Sequence, residues 1–120
     1  MKFRDKRNRL ITLEYNDVTN TISAFHDDIQ IGQIDFIVSD TYYTQIAYPY
    51  IANITERYQR SGIATEIIKY ATTLYDIVRF ERDYGYGGKT NLIHYSDAGL
   101  VLKNSCERNG ITKELLDDDE

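Results

Sequence analysis

Seven consecutive residues, Tyr58-Gln59-Arg60-Ser61-Gly62-Ile63-Ala64, have the types and spacing best suited to chemistry in this 120-residue chain. A polar loop with one glycine runs straight into an apolar-periodic segment. The first backbone N–H groups of the helix expected there therefore have no intrahelical acceptor. Such groups converge on one point and carry the positive end of the helix dipole, which suits a phosphate. Gly62 would let a ligand approach the backbone closely, and the small Ala64 would leave the N–H groups uncovered. The same residues also fit a plainer role, in which Ser61 caps a hydrated helix and Gly62 serves tight packing.

Groups able to move protons are scattered along the rest of the chain. Asp35, Tyr48, Tyr50, His26 and His94 are candidate bases, each acting directly or through a water, and spacing singles out none of them. A lone histidine in a strand is more often a hydrogen-bonded structural residue. Cys106 is the single cysteine, so the sequence offers no internal disulfide, no cysteine-based zinc site and no expected metal. Eleven tyrosines and no tryptophan suit sheets with one wet end as well as a cleft.

The net charge of −5 argues against nonspecific nucleic-acid binding, which depends on surplus Lys and Arg. Met1 to Arg9 holds five basic residues against one acid, and Glu114 to Glu120 is nearly all acid; both read as solvated ends. The N-terminus lacks the apolar run of a signal peptide, and no stretch reaches the roughly 18 apolar residues of a membrane span. A cytoplasmic protein of one domain, residues 1–120 with a core from about 10 to 111 and an acidic tail at 114–120, is the expectation.

The elements that must position these groups follow from periodicity. Leu10 to Tyr15, Thr21 to His26, Ile31 to Val38 and Gln45 to Thr55 read as strands, the first closed by the turn formers Asn16 to Asn20. Pro49 removes a ladder donor from the fourth strand, which demands an edge or a bulge there. From Gly62 to about Phe80, Ile63, Ile67, Ala71, Leu74 and Val78 form the stripe of an amphipathic helix. Glu81 to Thr90 reads as a loop, Asn91 to Tyr95 as a fifth strand parallel to the fourth, and Ser96 to Gly110 as a second helix. The order predicts an α/β (α+β) domain with a mixed, mostly antiparallel sheet and one β-α-β crossover.

Gln59-Arg60-Ser61-Gly62-Ile63-Ala64 resembles the acyl-CoA diphosphate loop of the GNAT superfamily of N-acetyltransferases. That pattern is Gln or Arg, two residues, Gly, one residue, then Gly or Ala. Ile51 to Tyr58 resembles the strand that feeds the loop, and Ser105 to Ile111 is similar to the closing helix. The resemblance covers about residues 20 to 111 and implies the acyl-CoA N-acyltransferase fold with acetyl-CoA as co-substrate.

It implies further that the backbone of Arg60 to Ala64, with Gln59, holds the diphosphate and that Ile54 pairs with the pantetheine arm. Cys106 stands where the family often has the tyrosine that protonates the departing thiolate, and packing against Leu102 as a small hydrophobe is its plainer role. Two family helices between the first strands have no counterpart beyond Asn16 to Asn20, so the acceptor side should be open. Only ten residues follow Gly110 where the family has two strands, and a second copy of the chain would cover that edge as a homodimer.

Three functions follow. One is an N-acetyltransferase acting on a primary amine, a lysine of a partner protein, with Tyr50 and Cys106 as catalytic candidates. The second is an inactive member of the fold that binds acyl-CoA or acts as an interaction or inhibitor module. The third, an acetyltransferase toxin acting on charged tRNA, requires a basic surface that the net charge opposes.

Overall fold

The computed structural model describes residues 1–41, 43–80 and 97–112. Six strands form one sheet in the order of the sequence: β1 (Lys2–Arg4), β2 (Leu10–Asn16), β3 (Thr21–His26), β4 (Ile29–Thr41), β5 (Thr44–Ile54) and β6 (Ile77–Val78). All neighbours are antiparallel except β5 and β6. Helix α1 (Ile63–Leu74) makes the crossover between that parallel pair, and α2 is Asp97–Arg108.

Alternation along the strands decides which face is covered. Ile11, Leu13, Ile22, Ala24, Ile34, Phe36 and Ala47 are buried on one face, against Ile63, Ile67, Ile68 and Ala71 of α1. The intervening Thr12, Glu14, Ser23, Gln33 and Asp35 make the other face polar. The mostly antiparallel sheet with one crossover is therefore as expected, and β3 spans the predicted residues.

Three expectations need correction. Helix α1 stops at Leu74, six residues early, because Thr72 and Thr73 turn their hydroxyls back onto the carbonyls of Lys69 and Tyr70. Tyr75 then swings into the core beside Phe36, its hydroxyl 3.0 Å from Asn20 Oδ1. Val78 consequently belongs to the parallel strand β6 and not to the helical stripe, and Asn91 to Tyr95 lies outside the described residues. Second, Ser61 is not the helix cap, since its hydroxyl donates to Tyr58 O and the N-cap is Gly62 at φ 86°. Third, the N-terminus is not a solvated end, because Lys2–Arg4 pairs with β2 and Asp5 is buried.

The second helix ends as read. Gly110 sits at φ 71°, its N–H donates to Glu107 O at 3.1 Å, and Ile111 N–H reaches Cys106 O at 2.8 Å. These two bonds satisfy the last carbonyls and allow Ile111 to pack against the core.

Candidate functional site

Of the edge or bulge that Pro49 called for, β5 shows both. Asp35 pairs with Ile51 and Phe36 with Pro49, which leaves Tyr50 as the extra residue of β5. By alternation from Ala47, whose carbonyl accepts Arg79 N–H on the β6 side at 3.1 Å, Pro49 points its donorless nitrogen toward the outer edge. The sheet loses no ladder bond to β4 at that residue.

Strand β6 pairs with β5 only at Ile46 and Ala47. From Tyr48 to Ile54 the outer edge of β5 has no strand partner among the described residues. Thr55 N–H donates inward to Ile31 O at 2.8 Å, so the backbone groups of Ile54 face outward along that open edge. Gln59 Nε2 donates to Ile54 O at 2.9 Å, which leaves the Ile54 N–H available there. Opposite Ile54 stands Gly32, where a Cβ would lie 2.6 Å from Ile54 Cδ1 and 3.1 Å from Asn53 O; only a glycine lets the strands meet undisturbed.

The open edge leads through the 3₁₀ turn Glu56–Tyr58 into the loop before α1. Arg60 has φ 59° and Gly62 has φ 86°, so two left-handed residues bracket Ser61. Among the described residues no acceptor meets the backbone N–H groups of Arg60, Ser61, Gly62, Ile63, Ala64 or Thr65; the first intrahelical bond is Glu66 N–H to Gly62 O at 3.0 Å. Six successive free donors at the positive end of a 12-residue helix have the charge and geometry that suit an anion. Arg60 is exposed beside them.

A support that periodicity does not reveal holds this loop. Asp5 Oδ1 accepts Arg7 N–H and Arg9 N–H, each at 2.9 Å, while Asp5 Oδ2 takes the Arg9 guanidinium at 2.8 Å. Burial pushes the Asp5 carboxyl up, but the hydrogen bonds from Arg9 and Arg7 and the Arg9 charge outweigh it and hold the group below the usual aspartate value. Arg9 then lies 4.1 Å over the Tyr58 ring and donates to Arg57 O at 3.3 Å. Lys6 N–H donates to Ser61 O at 2.9 Å. The available signal was the Asp5…Arg9 pair flanking a turn between two short strands, masked by the basic character of the segment.

The other candidates divide sharply. Tyr50 is 44% exposed at the bulge, on the same strand as Ile54. Cys106 is fully buried in the core cluster with α1, and burial, reinforced by Glu107 and opposed by Lys69, raises its thiol to about 11. His26 shares a 2.7 Å hydrogen bond between Nδ1 and Tyr58 OH, a structural tie to the loop's approach. Asp35 accepts from Thr21 Oγ1 at 2.9 Å and Gln33 Nε2 at 3.1 Å on the polar face, Tyr48 is half-buried, and His94 lies outside the described residues. No group of potential metal ligands occurs among the described residues, and no helix there is long and apolar enough to cross a membrane.

No protein-family model matches the sequence, and no curated protein does either. The structure does have solved neighbours. A possible acetyltransferase from Clostridium difficile 630 superposes with a TM-score of 0.55 at 15% identity, covering 87% of this chain and 66% of that one. An integron cassette protein from the mobile metagenome of V. cholerae gives 0.55 at 11% identity, covering 83% and 57%. An aminoglycoside acetyltransferase from an uncultured soil metagenomic sample gives 0.48 at 18% identity, covering 63% and 62%. The chain thus spans between 57% and 66% of the length of these proteins, and the likeness to the first two is one of fold.

Proposed function

We propose that this chain, which has the acyl-CoA N-acyltransferase fold of the GNAT superfamily, is an acetyl-CoA-dependent N-acetyltransferase acting on a primary amine, a lysine of a partner protein. One observation carries the reading: the six free N–H groups from Arg60 to Thr65 lie at the end of the open edge of β5. A diphosphate at the helix and an extended amide-bearing arm along the strand match the two features in charge and in hydrogen-bonding pattern. Acetyl-CoA, when bound, supplies an activated acyl thioester.

The chain's residues then have distinct tasks. Arg60 to Ala64 bind phosphate through their backbone, and Arg60 adds its charge. Gln59 secures the loop to Ile54, and the Ile54 N–H polarises an acyl carbonyl drawn alongside the strand. Transfer requires one proton to leave the attacking nitrogen and one to reach the sulfur. Tyr50 is assigned the first, through a water, from its exposed place at the bulge. Cys106 would have to supply the second from inside the core. The negative net charge and the polar sheet face suit a basic protein surface as acceptor, and a lone cysteine fits a reducing cytoplasm.

Binding of acyl-CoA without turnover is the second reading, favoured by the burial of Cys106 and its raised thiol. Calorimetric titration with acetyl-CoA, followed by mass spectrometry of a protein mixture, separates the two. Micromolar binding with new acetyl-lysines is the expected result. Binding with no acetylation would establish the second reading, and no binding would overturn both.

A further inference from the structure

The Arg60–Gly62 loop is an unfavourable piece of backbone to leave unsupported. A non-glycine residue at φ 59° is disfavoured on its own, and Gly62 caps the helix with no side chain to fix the entry angle. Within the loop and its approach, Gln59 N–H to Glu56 O at 3.1 Å, Ser61 Oγ to Tyr58 O and Gln59 Nε2 to Ile54 O are the local ties among the described residues. The remaining contacts come from a turn some fifty residues away in sequence.

We propose that the pair of buried Asp5 and half-buried Arg9 is a positioning strut, which acts through the β1–β2 turn to hold the Arg60–Gly62 loop in the shape that presents its N–H groups. The turn clasps the loop at three points. Lys6 N–H holds Ser61 O at 2.9 Å, the Lys6 methylenes cross Gly62 with Cε 3.5 Å from the position of a Cβ there, and Arg9 grips both Arg57 O and the Tyr58 ring. Each contact needs the turn to keep its form, and Asp5 sets that form. Its backbone N–H donates to Arg9 O at 3.0 Å, its carbonyl accepts Asn8 N–H at 2.9 Å, and its carboxylate accepts Arg7 N–H, Arg9 N–H and Arg9 Nε.

The carboxylate is fully buried and binds both the turn and the arginine, so neutralising it loosens both together. Arg9 is chosen over lysine by geometry, since its planar fork satisfies Asp5 on one side and reaches Arg57 O on the other while stacking on Tyr58. The consequence for ligand affinity rests on the acyl-CoA reading; the consequence for loop shape does not.

The test therefore reads both. Backbone amide shifts and hydrogen exchange of Arg60 to Ala64 are recorded in the ligand-free wild type, in Asp5→Asn and in the milder Arg9→Lys. Ile34→Val, a core change remote from the turn, serves as the control for general destabilisation. The strut predicts displaced, faster-exchanging amides at Ser61 to Ile63 in Asp5→Asn, a smaller effect in Arg9→Lys and none in the control. It also predicts acetyl-CoA affinity weakened by about tenfold in Asp5→Asn, the scale of one lost charged hydrogen bond. Loop amides at wild-type positions in every folded variant overturn the strut. If Asp5→Asn does not fold, Arg9→Lys decides. Absence of acetyl-CoA binding to the wild type overturns the functional reading alone, because the amide measurement still decides the strut.

Discussion

The two ends of β5 are built from similar residues and reach opposite outcomes. At Ile46 and Ala47 the strand is enclosed, with β4 on one side, β6 on the other and Ala47 without exposure, and Asp76 holds the preceding Gln45 N–H at 2.9 Å. From Tyr48 to Ile54 it has β4 alone among the described residues, a proline aimed outward, a bulge at Tyr50 and backbone donors along a free edge. Closure depends on how far a parallel neighbour keeps pace. Here β6 pairs for two residues, and beyond them β5 has no second strand partner among the described residues.

The most damaging change for the open end is Ala64→Glu. A carboxylate set among the free N–H groups repels phosphate, and acetyl-CoA affinity should fall by at least about a hundredfold, with an unchanged circular dichroism spectrum. Full affinity in calorimetry would remove the diphosphate assignment. At the closed end, Ala47→Leu forces three extra carbons into filled space and should cost about 1–3 kcal/mol in denaturant unfolding. Its effect on the exchange of Ser61 to Ile63 amides should be negligible, and a large one would mean that the two ends are not separable.

Gly32→Ala probes the boundary. The new methyl meets the tip of Ile54, which can rotate, and Asn53 O, which must yield by a few tenths of an ångström, so a loss of about 1 kcal/mol is expected. Any weakening of acetyl-CoA binding by this variant would place Ile54 in the ligand path. Cys106→Ala tests the closed core from the other side: a stability loss of about 1 kcal/mol with an unaltered pH profile of turnover leaves Cys106 a packing residue.

The smallest effect concerns pH. The folded-state pKa of Asp5 lies below its unfolded value, so its contribution is complete above the ordinary aspartate range and disappears as pH falls through the depressed value. Acid unfolding of the wild type should therefore begin below about pH 4, and Asp5→Asn should flatten that limb of the stability curve. An identical acid limb in both proteins would show that the carboxylate has the same pKa folded and unfolded.

Much of the sheet was legible because a half-buried strand alternates. Ile22 and Ala24, or Ile34 and Phe36, point inward with polar residues between them, and the missing donor of Pro49 marked an edge or a bulge in the fourth strand. The glycine-bearing loop was legible because a polar stretch with one glycine runs straight into an apolar-periodic segment, although Ser61, the expected cap, binds Tyr58 O instead. The end of α1 was not: Val78 continues the helical spacing by coincidence, and no Gly or Pro marks the stop, which two threonine hydroxyls and the burial of Tyr75 enforce instead. The support beneath the loop was illegible for a different reason. Arg9 meets Arg57 and Tyr58 across 48 or more residues, and no local period records such a meeting.

A sheet whose strands stand in the order of the chain has a kinetic consequence. β1 to β5 assemble by successive hairpins, each closing a short loop, so most of the sheet is expected to form early and quickly. The crossover that lays β6 on β5, the packing of α1 on the sheet and the clasp from the Asp5–Arg9 turn onto Ser61 require distant segments to meet. The loop before α1 would then be the last part of the molecule to acquire its shape, and the first to lose it when the fold opens.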